Sequence, residues 1–141
     1  MSGYIAVDLD GTLAHYDPSD PEKLSKVGKP ISRMLQRVRM WLREHKEVRI
    51  MTARVFDDPD GYQENLIQDW TETHLGMRLI VQCHKDYNMI ELWDDRAVSV
   101  VNNSGGFARA TAAGVEMEGT VEVTVSDKGN VSTDNRGGDE Q

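Results

Sequence analysis

The chain has 141 residues, of which 38% are hydrophobic and 28% charged, with a formal net charge of −8; this suits one compact core of the usual ~100–150 residues and excludes two full domains. Three Trp, four Tyr and interspersed aliphatic residues exclude a wholly disordered chain, and a single cysteine, Cys83, excludes an internal disulfide. The acidic balance leaves few cations for broad adhesion to nucleic acid or an anionic membrane, no apolar run nears the ~18–20 residues of a membrane span, and the N-terminus lacks a secretory signal, so a cytoplasmic protein is expected.

Residues Tyr4 to Leu9 are apolar, turn acidic at their end and meet Gly11, which reads as a buried strand followed by a tight turn. The segment 17–29 is polar, carries Pro18, Pro21 and Gly28, and reads as a loop; Pro30 suits the first turn of a helix. Ile31, Met34, Leu35, Val38, Trp41 and Leu42 recur at spacings of three and four, the stripe of an amphipathic helix on a sheet. Glu47 to Ala53 reads as a second strand, a loop with Pro59 and Gly61 follows, and a second helix is expected over 62–75 with Gly76 as its stop. Leu79 to Cys83 reads as a third strand and Ile90 to Trp93 as a fourth, ending at Asp94-Asp95; residues 97–101 extend the pattern before Asn102 to Gly106 breaks it. Strands alternating with helices imply an α/β fold with a mostly parallel sheet.

Beyond Gly106 the character changes. Residues 107–141 hold three basic and seven acidic side chains, so half of the net charge lies there. The expected organisation is a domain over 1–106 and an extension over 107–141, with alternation over 115–125 favouring a hairpin or an added edge, and a mobile acidic tail after it.

Four carboxylates fall at strand ends: Asp8 and Asp10 after the first strand, Asp94 and Asp95 after the fourth. In open α/β sheets that edge is where ligands bind, and carboxylates gathered there repel unless a hard cation such as magnesium offsets them. Asp-x-Asp-Gly also opens calcium loops, but the twelfth position counted from Asp8 is Ser19 rather than Glu, so that reading fails. Taken singly, each piece has an ordinary reading: an Asp-Gly turn, a strand Thr at Thr52, a solvated Lys85, a capped loop at 94–96.

Taken in order, Asp8-Leu9-Asp10-Gly11-Thr12-Leu13, Thr52 at the end of the second strand, Lys85 after the third and Asp94-Asp95 after the fourth resemble the four motifs of the haloacid dehalogenase-like (HAD) hydrolase superfamily. The resemblance covers residues 4–104 and implies a Rossmann-like three-layer sandwich and a phosphatase working through an aspartyl-phosphate. It implies Asp8 as nucleophile, Asp10 as general acid and base, Thr52 and Lys85 as catalytic and substrate-binding contacts to the phosphoryl group, and Mg2+ held by Asp8, Asp10 through its carbonyl, and Asp94 or Asp95. Residues 13–29 and 55–78 leave no space for a substantial cap, so the site is expected to be open to large substrates or covered by a neighbouring subunit of a homo-oligomer. Stretches 15–20, 81–83 and 94–96 are similar to the phosphatase domain of phage polynucleotide kinase-phosphatases, and 85–98 to small phage and prophage HAD-like proteins; this suggests a nucleotide or a nucleic-acid 3′-phosphate end as substrate. No P-loop is present, so no kinase activity is expected. A small-molecule phosphatase and a non-catalytic binding protein are the alternatives.

Arg54 and Arg96 are placed either to grip a substrate phosphate or to pair with a motif carboxylate. His15 and His84 fall near the expected mouth and read first as surface residues, Tyr16 and Tyr62 are the stacking candidates, and Trp41, Trp70 and Trp93 fit the core.

Overall fold

The computed structural model describes residues 3–111, 114–117, 121–122 and 132–133. It divides into two units, Met1–Asp95 and Arg96–Gln141. In the first, strands β1 (Tyr4–Asp8), β2 (Val48–Met51), β3 (Val81–Gln82) and β4 (Met89–Trp93) form one sheet in the order β3-β2-β1-β4. Every pairing is parallel, with Ile5 opposite Val48 and Val7 opposite both Ile50 and Trp93. β1 is the central strand, and Tyr4, Ile5, Ala6 and Val7 are all buried, as a near-continuous apolar run requires.

The helices α1 (Ser32–Arg43) and α2 (Tyr62–Leu75) connect β1 to β2 and β2 to β3. Two crossovers stepping in the same direction, which take the same hand, put both helices on one face of the sheet, where they touch each other. There Met34, Leu35, Val38 and Trp41 of α1 and Ile67 and Trp70 of α2 close on Ile5, Val7, Val48, Ile50 and Leu79. Each large aliphatic or aromatic side chain so buried contributes ~1.5–3 kcal/mol. The connection from β3 to β4 is only six residues, 83–88, too short for a helical crossover, and a second helical layer is not found among the described residues of this unit. On that other face the Arg49 guanidinium lies 3.9 Å from the centre of the Tyr4 ring, and Gln82 donates to the Tyr4 hydroxyl at 2.7 Å.

α2 has the expected bounds, with Gly76 in the left-handed region at φ 84° as its stop. α1 starts two residues later than Pro30. Backbone bonds from His15 to Lys29 and from Ile31 to Leu13 hold residues 29–31 extended against 13–15, and this tertiary pairing overrides the preference of Pro for a first helical turn. β2 stops at Met51 because Thr52 caps a short 3-10 helix, Ala53–Val55.

In the second unit β5 (Ser99–Val100), β6 (Phe107–Thr111) and β7 (Gly114–Met117) form an antiparallel sheet in that order. The stretch 97–101, read from the sequence as continuing the parallel pattern, thus pairs with β6 through a turn that uses left-handed Asn103 and Gly105. β8 (Val121–Glu122) pairs with β9 (Ser132–Thr133). Within the 115–125 stretch the described parts of β7 and β8 therefore pair with β6 and β9, while residues 118–120 and 123–125 lie outside the described residues, as does most of the expected tail. No helix among the described residues is long and apolar enough to cross a membrane.

Candidate active site

The strand order sets the site. From β1 the chain steps outward to β2 and β3, then returns to the far side of β1 as β4, so the order reverses between β1 and β4. At such a switch point the loops leaving adjacent strands diverge and open a crevice at their C-terminal ends. Asp8 ends β1 there, and Asp94 and Asp95 follow β4 directly.

One carboxylate oxygen from each of Asp8, Asp94 and Asp95 lies within 4.8 Å of the others. The Thr12 hydroxyl stands between them, 3.1 Å from Asp8 Oδ2 and 2.9 Å from Asp95 Oδ1, and it accepts the Asp95 backbone N–H at 2.9 Å. A hydroxyl carries one proton, so it serves one carboxylate at a time and leaves the other short of a donor. The β1 turn is built to place it: the amides of Thr12, Leu13 and Ala14 all point at the Leu9 carbonyl. Gly11 sits at φ 90°, and a Cβ there would come within 2.9 Å of Asp95 Oδ2, so backbone conformation and close approach both require glycine.

Burial pushes the Asp8 carboxyl up to about 7, with the hydrogen bond to Asp95 and the charge of Asp94 acting in the same direction and Thr12 against them. A carboxyl raised this way, with two more carboxylates beside it, is part of a set of hard oxygen donors. The donor chemistry fits Mg2+.

Asp10 points elsewhere. Its two oxygens accept from Arg54 Nε at 2.8 Å and Nη2 at 2.9 Å, a bidentate pair in which the Arg54 side chain is 3% exposed. Of the two placements weighed for Arg54, pairing with a motif carboxylate is the one found. The same guanidinium donates to the Lys23 carbonyl at 2.9 Å and to Gln63 Oε1 at 3.2 Å. Gln63 in turn donates to the Leu24 carbonyl at 2.8 Å.

Thr52 is buried at the end of β2. Its amide bonds to the Gln82 carbonyl of β3, and its hydroxyl accepts the Arg54 amide at 3.1 Å. Lys85 is exposed after β3 and makes no ion pair among the described residues. It lines an open cavity of about 530 Å³ along the edge of β4, with Tyr87, Ile90 and Leu92, and none of the four motif carboxylates lines it. Asp8, Asp94, Asp95 and Thr12 are thus brought together, Asp10 and Arg54 form a second group, and Lys85 joins neither. Trp41 and Trp70 are buried; Trp93 packs edge-on to Trp41, ring centres 5.2 Å apart.

Two participants were not marked by the sequence. Thr12 is legible only as the next letter of the Asp-x-Asp-Gly-Thr string, and Gln63 has no signal beyond its place in the first turn of α2. Comparison with protein-family models, with curated proteins and with solved structures gives no match to this chain.

Proposed function

We propose that this protein is a capless, magnesium-dependent phosphomonoesterase of the HAD-like type, with a Rossmann-like parallel sheet as its scaffold. The observation that carries the reading is the convergence of Asp8, Asp94 and Asp95 within 4.8 Å at the switch point of the sheet, in the order of residues that the family motifs require.

The carboxylates of Asp8 and of Asp94 or Asp95, with the Asp10 carbonyl, would hold Mg2+, which when bound offsets charge between the nucleophile and the phosphoryl oxygens. In the first step an Asp8 oxygen bonds to phosphorus as the ester P–O bond breaks, and Asp10 gives its proton to the leaving oxygen. In the second, water attacks the same phosphorus, Asp10 takes its proton, and the bond to Asp8 breaks to release phosphate. Arg54 holds the Asp10 carboxyl by both oxygens, a geometry suited to the unprotonated form that takes the proton from water in the second step; to serve the first step Asp10 enters protonated. Thr52 and Lys85 are assigned to the phosphoryl oxygens by the resemblance alone.

The experiment is hydrolysis of p-nitrophenyl phosphate by the full chain with Mg2+. Activity is expected for the wild type, and loss to background for Asp8→Asn. Full activity in Asp8→Asn, or none in the wild type across a broad panel of phosphate esters, overturns the reading; the second result favours a binding protein.

A further inference from the structure

We propose that Gln63 is a positioning residue for proton transfer: from the first turn of α2 it holds the Arg54 guanidinium in the plane in which that group meets Asp10. This rests on the reading of Asp10 as the group that protonates the leaving oxygen.

A guanidinium has five N–H donors in one plane, and a buried one needs partners for them. The Arg54 side chain, 3% exposed, places four. Nε donates to Asp10 Oδ2 at 2.8 Å, Nη2 to Asp10 Oδ1 and to the Lys23 carbonyl, both at 2.9 Å, and Nη1 to Gln63 Oε1 at 3.2 Å. In the step where Asp10 gives a proton, one of its oxygens bears hydrogen and the two-armed contact with Arg54 loses an arm. The orientation of the guanidinium then rests on its other partners. The Lys23 carbonyl lies on the same nitrogen as Asp10 Oδ1, so Gln63 is the partner that fixes the remaining corner of the plane.

Gln63 is itself held at three points. Its backbone amide and that of Glu64 bond to the two carboxylate oxygens of Asp58, at 3.0 Å each, which serves the first turn of α2 where Gly61 offers no side-chain cap. Its Nε2 donates to the Leu24 carbonyl at 2.8 Å, while its Oε1 accepts from Arg54. A carbonyl only accepts and a guanidinium only donates, so a single orientation of the amide serves both, and glutamine has the donor and the acceptor that this requires. Segment 15–28, which carries Lys23 and Leu24, is tied at its base by the His15 amide on the Lys29 carbonyl at 2.8 Å and by Trp70 Nε1 on the Gly28 carbonyl at 2.9 Å. Arg54 is thus framed from β2, from α2 and from this segment, and the frame exists before substrate arrives.

The test compares phenyl phosphate with p-nitrophenyl phosphate as substrates of the full chain with Mg2+. Phenolate is the more basic leaving group and needs the proton; nitrophenolate needs it little. In Gln63→Met the ratio of kcat/KM for phenyl phosphate to that for p-nitrophenyl phosphate is expected to fall about tenfold, as for one lost hydrogen bond to a charged group. The ratio cancels any change in the folded fraction. Gln63→Glu keeps an acceptor for Arg54 and loses only the donor to Leu24, and should hold the ratio near the wild-type value. An unchanged ratio in Gln63→Met, or an equal fall in Gln63→Glu, overturns the proposal and leaves the phosphatase reading standing. Solvent exchange of the Arg54 Nε–H, followed by NMR, gives a readout without turnover: exchange faster by about tenfold or more is expected in Gln63→Met than in the wild type. Equal exchange in the two overturns the proposal whether or not any ester is hydrolysed.

Discussion

Replacing Asp8 by Asn should stabilise the protein while removing its activity. In the folded protein the Asp8 carboxyl is raised from 3.8 to about 7, which at ~1.4 kcal/mol per pH unit corresponds to roughly 4 kcal/mol. Asp8 is only half-buried, and halving for solvent screening leaves about 2 kcal/mol. The sign follows from linkage. Below pH ~4 the group is protonated folded or unfolded, and nothing is lost; between pH ~4 and ~7 the unfolded chain ionises first, and above ~7 the folded protein carries the full penalty. Asn keeps the shape and removes the charge. In chelator, Asp8→Asn should therefore melt higher than wild type by about 8–16 °C at pH 8, given ~4–8 °C per kcal/mol for a unit of this size, and by about a third of that at pH 5. Circular dichroism melts across that range measure the gap. Saturating Mg2+ should narrow or reverse it, because only the wild type gains from binding the cation. Equal melting temperatures at pH 8 in chelator, or a gap that does not change with pH, would refute the claim that burial beside two further carboxylates penalises the charged form of Asp8.

Two further predictions concern the side chains that organise the carboxylates. Arg54→Met leaves Asp10 partly buried beside no cation and frees the Lys23 carbonyl, and should destabilise by about 3 kcal/mol in urea unfolding; adding Asp10→Asn should recover part of this, and simple additivity of the two changes would mean the pair is not coupled. Thr12→Val strips the Asp95 amide of its acceptor and removes the hydroxyl shared by Asp8 and Asp95, so a loss of about 1–2 kcal/mol without metal is expected. A calorimetric Mg2+ titration of that variant should show weaker binding, and unchanged affinity would separate the hydroxyl from the metal site.

How much of this was legible follows from which interactions are local. The stripe of α1, the Gly76 stop of α2 and the strand ends carrying Asp8 and Asp94 are set by periodicity and turn chemistry within a few residues, and the sequence pattern locates them. The start of α1, the pairing of 97–101 with β6 and the different surroundings of Asp8 and Asp10 depend on partners far along the chain, which periodicity does not encode.

The Asp-x-Asp pair shows what that distinction means for chemistry. Two carboxylates two residues apart on an extended strand would share one face and one environment. Here the strand ends at Asp8, and the two carboxyls find different partners. Asp8 goes to a cluster with Asp94 and Asp95, and Asp10 to a guanidinium whose other bonds tie down the 15–28 loop. Titratable groups whose surroundings differ in this way favour different protonation states, and a cation in the Asp8 cluster would be what keeps Asp8 ionised. The spacing of the two aspartates put them at one strand end, but Arg54, forty-four positions from Asp10, makes them unlike.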